Sequence, residues 1–294
     1  SRLIGDLLNL LPPSPWLAID QEGGRVNRLE PFLGPTVSAA ERGRLGGEAV
    51  EAFGRQTGEL LAGFGFNLDF APVVDLCPAD APNGIGDRSF GEEPSRTAEL
   101  AGRFLAGLQG AGVAGCLKHF PGLGDTRVDS HLVLPVCSRP LEQMRRKDLL
   151  PFKLLADRAA AVMICHAAYT DPGLSEETGG SSPGPATLSP RIVHGLLREE
   201  LGYPGMVATD DMEMGALAPL DRGGSAAVAA IQAGVDMVLY CADLEKALAA
   251  RDARAREAAE DPAFARRLMD AATRVEETAA RWPVRPTLPG RSGS

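Results

Sequence analysis

Short apolar runs recur along this chain and are separated by longer stretches of mixed polarity. Six are nearly continuous in apolar residues: 16–20 (WLAID), 68–76 (LDFAPVVDL), 113–119 (VAGCLKH), 160–167 (AAVMICHA), 206–210 (MVATD) and 235–241 (VDMVLYC). Runs of that length without alternation suit parallel strands covered on both faces. Segments near 46–63, 97–111, 141–158, 190–201, 224–233 and 243–259 repeat their apolar positions with a helical period, and a last helix is expected near 262–281. Pro190 after Ser189 reads as a helix start. The Pro/Gly/Ser-rich end, PVRPTLPGRSGS, reads as a tail over 284–294.

Strand and helix alternate without repeats or an interior linker, which predicts repeated β-α units, a parallel sheet and one domain over 1–283. The 294 residues suit a single α/β barrel, which takes roughly 250. Several runs end in polar residues: Asp20, Asp75, Lys118 with His119, His166, and Asp210 with Asp211. In a barrel, the C-terminal strand ends carry the catalytic groups. Acids there also cap the following helix, but that account fits Lys118, His119 and His166 poorly.

Composition narrows the partners. A net charge of −9 gives the surface no general attraction for nucleic acid or anionic lipid. No apolar run approaches the roughly 20 residues of a membrane span. Cys77, Cys116, Cys137, Cys165 and Cys241 are scattered and odd in number, which predicts reduced, buried thiols rather than disulfides or zinc. A cytoplasmic monomer acting on a small molecule is the expectation, although the first residue is Ser1 and the opening is no clear signal peptide.

Three stretches carry chemistry. Residues 117–135, LKHFPGLGDTRVDSHLVLP, hold Lys118, His119, Asp125, Arg127, Asp129 and His131 in a Gly/Pro loop leaving a strand. Asp129 and His131 stand two apart, close enough for the carboxylate to hold the imidazole as a proton donor near neutral pH. The same residues also suit a loop stapled by its own ion pairs, and residue types alone leave both readings open. In 205–216, GMVATDDMEMGA, one of the adjacent acids suits a nucleophile, though helix capping explains the pair more simply. In 16–29, WLAIDQEGGRVNRL, Asp20 and Arg28 suit sugar hydroxyls or a carboxylate, and Gly23 and Gly24 allow close backbone approach. Arg88 in GDRSFG adds a further cation.

These motifs together resemble glycoside hydrolase family 3, in its β-N-acetylglucosaminidase branch. The matching elements are IDQEGGRVNRL (19–29), LDFAPVVDL (68–76), GDRSFG (86–91), KHFPGLGDTRVDSH (118–131) and ATDDMEMGA (208–216), in the family's order. The resemblance implies a (β/α)8 barrel and a retaining exo-glycosidase that needs no cofactor or metal. It implies Asp210 as nucleophile, His131 as acid/base and Asp129 as its partner, with Asp20, Arg28, Arg88, Lys118 and His119 binding the terminal sugar. Asp211 is expected to support rather than react. The substrate implied is a terminal β-linked N-acetylglucosamine on a cell-wall muropeptide or chitooligosaccharide, a place in peptidoglycan recycling. Two departures stand out. Leu123 replaces a usual His, which puts the polar contacts of that loop in question. No upstream strand precedes residue 16, which suggests a barrel lacking its first strand.

Three alternatives remain. A neutral imidazole does not repel an anionic acceptor, so phosphate can compete with water and make the protein a phosphorylase. The chain can be a sugar-binding homologue with impaired catalysis. Finally, His119, Asp125, Asp129 and His131 can be metal ligands, although such ligands usually come from several strands.

Overall fold

The computed structural model describes residues 14–124, 126, 134–175, 183–217 and 219–284, with residues 4, 6 and 8–10 of the opening stretch. Its centre is one sheet of six strands, in the order β1 (Ala18–Ile19), β4 (Leu68–Asp69), β5 (Ala114–Phe120), β7 (Ala161–Ile164), β9 (Met206–Asp211) and β10 (Met237–Leu239). Every neighbouring pair is parallel. These are the cores of the six apolar runs. Past Asp69 the run at 68–76 pairs irregularly: Pro72 has no N–H to give, but Ala71 O and Pro72 O still accept from Cys116 N and Lys118 N, and Val73 bridges to Lys118.

Helices fill the connections, including Gly47–Phe64, Pro94–Gly110, Ser225–Ala233 and Leu244–Glu260. Arg191–Glu200 is wound with π-type spacing. The stretch expected as one helix over 141–158 breaks into Leu141–Arg146 and Leu149–Leu155. The break falls at Lys147, whose backbone leaves the helical region (φ −121°, ψ −88°), and Pro151 has no N–H to give to the carbonyl of residue 147, while buried Asp148 pairs with Arg139.

The sheet is curled. Asp20, just past β1 at one edge, and Leu239 on β10 at the other line the same cavity. A flat sheet would hold them five strand spacings apart, about 24 Å. The chain is thus an α/β fold built on a parallel half-barrel. Leu68, Phe70, Cys116, Met163 and Met206 pack together, joined by Trp16, Val275 and Trp282. Burial of such side chains is worth about 1.5–3 kcal/mol each. The final helix, Pro262–Arg281, is fixed through Asp236, which accepts from Arg267 at 3.0 Å and Arg274 at 2.7 Å. Asn67 ties the last turn to the first strand: its Nδ2 donates to Pro15 O at 3.0 Å and to Trp282 O at 2.9 Å.

Two features escape the pattern. A small antiparallel hairpin, β2 (Gln21–Gly23) with β3 (Val26–Asn27), leaves β1 at once. The short pair β6 (Val136–Cys137) and β8 (Ala168–Tyr169) lies outside the main sheet. Both are too short for periodicity to reveal. Of the cysteines, four are buried and in no disulfide, as the sequence suggests, but Cys241 is exposed.

Candidate active site

A cavity of about 240 Å3 opens at the C-terminal ends of the strands. Asp20, Arg28, Arg88, Lys118, His119 and Asp210 all line it. Asp129 and His131 lie outside the described residues. A larger cavity, about 410 Å3, sits near Ala160 and Gly205, at the strands' opposite ends, beside the final helix. It mixes exposed arginines and acids, whereas the smaller one gathers buried ionisable groups, so chemistry points to the smaller.

The cationic wall is organised by an acid that residue patterns did not single out. Glu22, on β2, is 7% exposed. Its carboxylate takes both Arg88 Nε and Nη2 at 2.8 Å and receives Lys118 Nζ at 2.6 Å. Lys118 Nζ also donates to Asp20 at 2.7 Å. Burial alone would raise the Glu22 pKa, but Lys118 and Arg88 outweigh it and hold the carboxyl well below the usual range. Burial would likewise strip Lys118 of its proton, and Asp20 and Glu22 reverse that. Glu22, Lys118 and Arg88 are therefore all charged at neutral pH. Arg28 differs: it is exposed at the rim and has no hydrogen-bond or ion-pair partner among the described residues.

Glu22 is itself held from behind. Arg42 Nη2 donates to Glu22 O at 2.8 Å while its guanidinium lies 3.5 Å from the Phe53 ring centre. This needs Gly23, whose φ is +88° and where a Cβ would stand 2.2 Å from Arg42 Nη2. The two glycines of the motif thus serve the packing beneath the hairpin.

A second unassigned acid, Asp75, orients His119. Fully buried, its Oδ2 accepts from His119 Nδ1 at 2.6 Å and from His119 N at 3.1 Å. The Nε2 atom is left facing Arg88 Nη2 at 3.5 Å. The other Asp75 oxygen accepts from Leu123 N at 2.6 Å. At position 123 the backbone N–H supplies this polar contact, while the leucine side chain is buried against the apolar core at the cavity's edge. Gly124 passes so close beneath that a Cβ would lie 1.8 Å from Leu76 O.

Asp210, the next-to-last residue of β9, is half-buried, and its Oδ1 accepts from Asp211 N at 2.9 Å. Burial acts to raise its pKa, yet His119, His166, the Asp211 N–H and Lys118 together hold it below the ordinary value. An ionised carboxylate in a cavity ringed by donors suits a nucleophile. Asp211 closes a turn instead, its Oδ1 accepting from Glu213 N at 3.1 Å, and no helix starts there, so helix capping does not account for the pair. Among the described residues, no group of His, Cys, Asp and Glu is arranged to hold a metal ion, and no helix is long and apolar enough to cross a membrane.

A parallel α/β half-barrel with ionisable groups gathered at its C-terminal strand ends has the layout of a barrel enzyme. The comparisons define it further. The family model described as "Glycosyl hydrolase family 3 N terminal domain" matches residues 11–277, and the chain belongs to this family of glycoside hydrolases. It is 38% identical over 248 residues to a beta-hexosaminidase of Pseudomonas aeruginosa, covering 83% of this chain and 72% of that protein. A beta-hexosaminidase of Idiomarina loihiensis is 35% identical over 242 residues, covering 81% and 70%. Among solved structures, a family 3 beta-N-acetylglucosaminidase from Paenibacillus sp. str. FPU-7 superposes with a TM-score of 0.84 at 32% identity. That match covers 98% of this chain, which spans only 54% of the Paenibacillus protein. A beta-N-acetylhexosaminidase from Beutenbergia cavernae gives 0.79 at 34% identity, covering 90% and 78%.

Proposed function

We propose that this chain carries a retaining exo-β-N-acetylglucosaminidase site. The observation that carries the reading is the convergence of Asp210 with Asp20, Arg88, Lys118 and His119 around one cavity of about 240 Å3, which suits one terminal sugar. The curled sheet is read as part of an eight-stranded barrel, as in the family's resemblance.

Lys118, Arg88, Asp20 and Arg28 bind the hydroxyls of the terminal sugar, and His119 is held against it by Asp75. Asp210 attacks the anomeric carbon through its carboxylate as the glycosidic bond breaks. His131, oriented by Asp129, gives its proton to the leaving oxygen; these two roles rest on the sequence motif alone. The covalent glycosyl-Asp210 intermediate is then hydrolysed by water, with neutral His131 taking the water's proton. The substrate class is a terminal β-linked N-acetylglucosamine on a muropeptide or chitooligosaccharide, consistent with the names of the hexosaminidase relatives.

A fluorinated N-acetylglucosaminyl donor that slows deglycosylation tests the reading in one step. The expected result is a covalent label on the peptide holding Asp210 and turnover of an aryl N-acetyl-β-glucosaminide. A label elsewhere, or no turnover of that substrate, overturns it.

A further inference from the structure

His166 follows β7 and is fully buried, outside the lining of the cavity. Neither the sugar contacts nor the acid/base step uses it. Its Nδ1 lies 2.7 Å from Thr187 Oγ1, and its Nε2 lies 3.0 Å from the backbone carbonyl of Asp211. Asp211 is also the residue whose N–H donates to Asp210 Oδ1 at 2.9 Å. The imidazole and the Asp210 carboxylate therefore grip the same residue from its two sides.

We propose that His166 is a positioning residue for Asp210: Nε2–H fixes the Asp211 carbonyl, so that Asp211 N–H occupies Oδ1 and leaves Oδ2 to attack. The inference rests on the reading of Asp210 as nucleophile. The protons are accountable. Thr187 has one hydroxyl proton and two acceptors near it, His166 Nδ1 and the Cys165 carbonyl at 2.8 Å. With a neutral ring, Thr187 donates to Nδ1 while Nε2–H serves Asp211. With a protonated ring, Nδ1–H donates to Thr187, whose hydroxyl turns to Cys165 O. Both forms keep the clamp, but the second places a cation beside the nucleophile.

The groups facing the ring are Asp210 and Asp211 from β9, Thr187 from the turn Ala186–Leu188, and Cys165 on its own segment. Burial lowers the His166 pKa and outweighs the opposing pull of Asp210 and Asp211. The neutral form therefore rules near pH 7, where a fully anionic nucleophile is wanted. An unmade clamp would also leave the His166 Nε2–H and the Asp211 carbonyl without this bond.

The test follows covalent labelling of Asp210 by a fluorinated N-acetylglucosaminyl donor whose activated leaving group needs no acid. His166→Phe fills the space without a donor, His166→Gln keeps an amide N–H at similar reach, and Thr187→Val removes the hydroxyl. Circular dichroism reports folding. His166→Phe is expected to slow labelling by about 10²-fold, the scale for a misplaced reacting group, with little change in donor affinity. His166→Gln recovers most of that rate, and Thr187→Val loses less than His166→Phe. In the wild type, labelling slows as pH falls below the ordinary histidine range, and in His166→Gln this limb moves to lower pH. Wild-type labelling by His166→Phe, or equal impairment in the Phe and Gln variants, overturns the proposal. If His166→Phe does not fold, wild-type labelling and an unmoved pH limb in both other variants overturn it. A label on a residue other than Asp210 instead rejects the nucleophile assignment.

Discussion

The Glu22 carboxylate stands 2.6 Å from the Lys118 ammonium, with the two side chains only 6% and 2% exposed. Breaking one partner of such a buried pair typically costs about 3–5 kcal/mol. Glu22→Gln should fall at the lower end, because Asp20 still holds Lys118. Thermal unfolding at pH 7 measures the loss. The pH course follows from the depressed pKa. The contribution is full above the ordinary 4.5 and is lost as pH falls from there through the folded value, so wild type and variant should converge in acid.

Asp69 has the opposite sign. It is fully buried, its Oδ2 has no hydrogen-bond partner, and burial pushes its pKa from 3.8 up to about 8 despite the Gln21 N–H it accepts. Folding must then keep a proton that the unfolded chain releases. The cost starts as pH rises through 3.8 and stops growing near 8. Asp69→Asn should therefore raise the unfolding temperature at pH 7–8, by more than about 1 kcal/mol of stability. The gain should vanish below about pH 4. An Asn variant less stable than wild type at pH 8 would count against this account.

The two arginines at the site should respond differently. Arg88 makes a two-pronged pair with Glu22, which lysine cannot reproduce. Arg88→Lys should lower both the unfolding temperature and kcat/KM. Arg28 has no partner among the described residues, so Arg28→Ala should leave the unfolding temperature unchanged. It should raise KM, by roughly tenfold if one charge-assisted hydrogen bond to substrate is lost.

His131→Ala separates acid catalysis from binding. General acid–base catalysis contributes about 10²–10⁴-fold, so the loss should be of that size on a disaccharide and far smaller for glycosylation by an activated aryl glycoside. Deglycosylation slows too, and azide, which needs no base, should restore turnover as a β-glycosyl azide. Equal losses on both substrates without azide rescue would make His131 a binding residue.

What could be read from the chain follows from distance along it. The six strands were legible because each is a continuous apolar run, and the polar residues that end them pointed to one rim. The partners of Glu22 and Asp75 were not legible. Glu22 meets Arg88 66 residues later, and Asp75 meets His119 44 residues later, so no local spacing marks either pair. Each acid looked like an ordinary strand-end or loop acid until the curled sheet brought its cation or imidazole to it. His166 was visible as a histidine ending a strand, but its link to Asp211 is a backbone contact, for which side-chain patterns carry no signal. The hairpin after β1 failed for a simpler reason: two or three residues per strand are too few for a period.

The Asn67 side-chain amide bridges Pro15 and Trp282, residues from opposite ends of the described chain. Its Oδ1 takes Leu17 N at 2.7 Å as well, so one amide group serves three separate backbone sites. Loosening the final helix therefore removes a bond from the same amide that anchors the opening strand. Fraying at the two ends becomes one cooperative event: amide hydrogens near residues 17 and 68 should exchange in step with those of the last helical turn, rather than at independent rates.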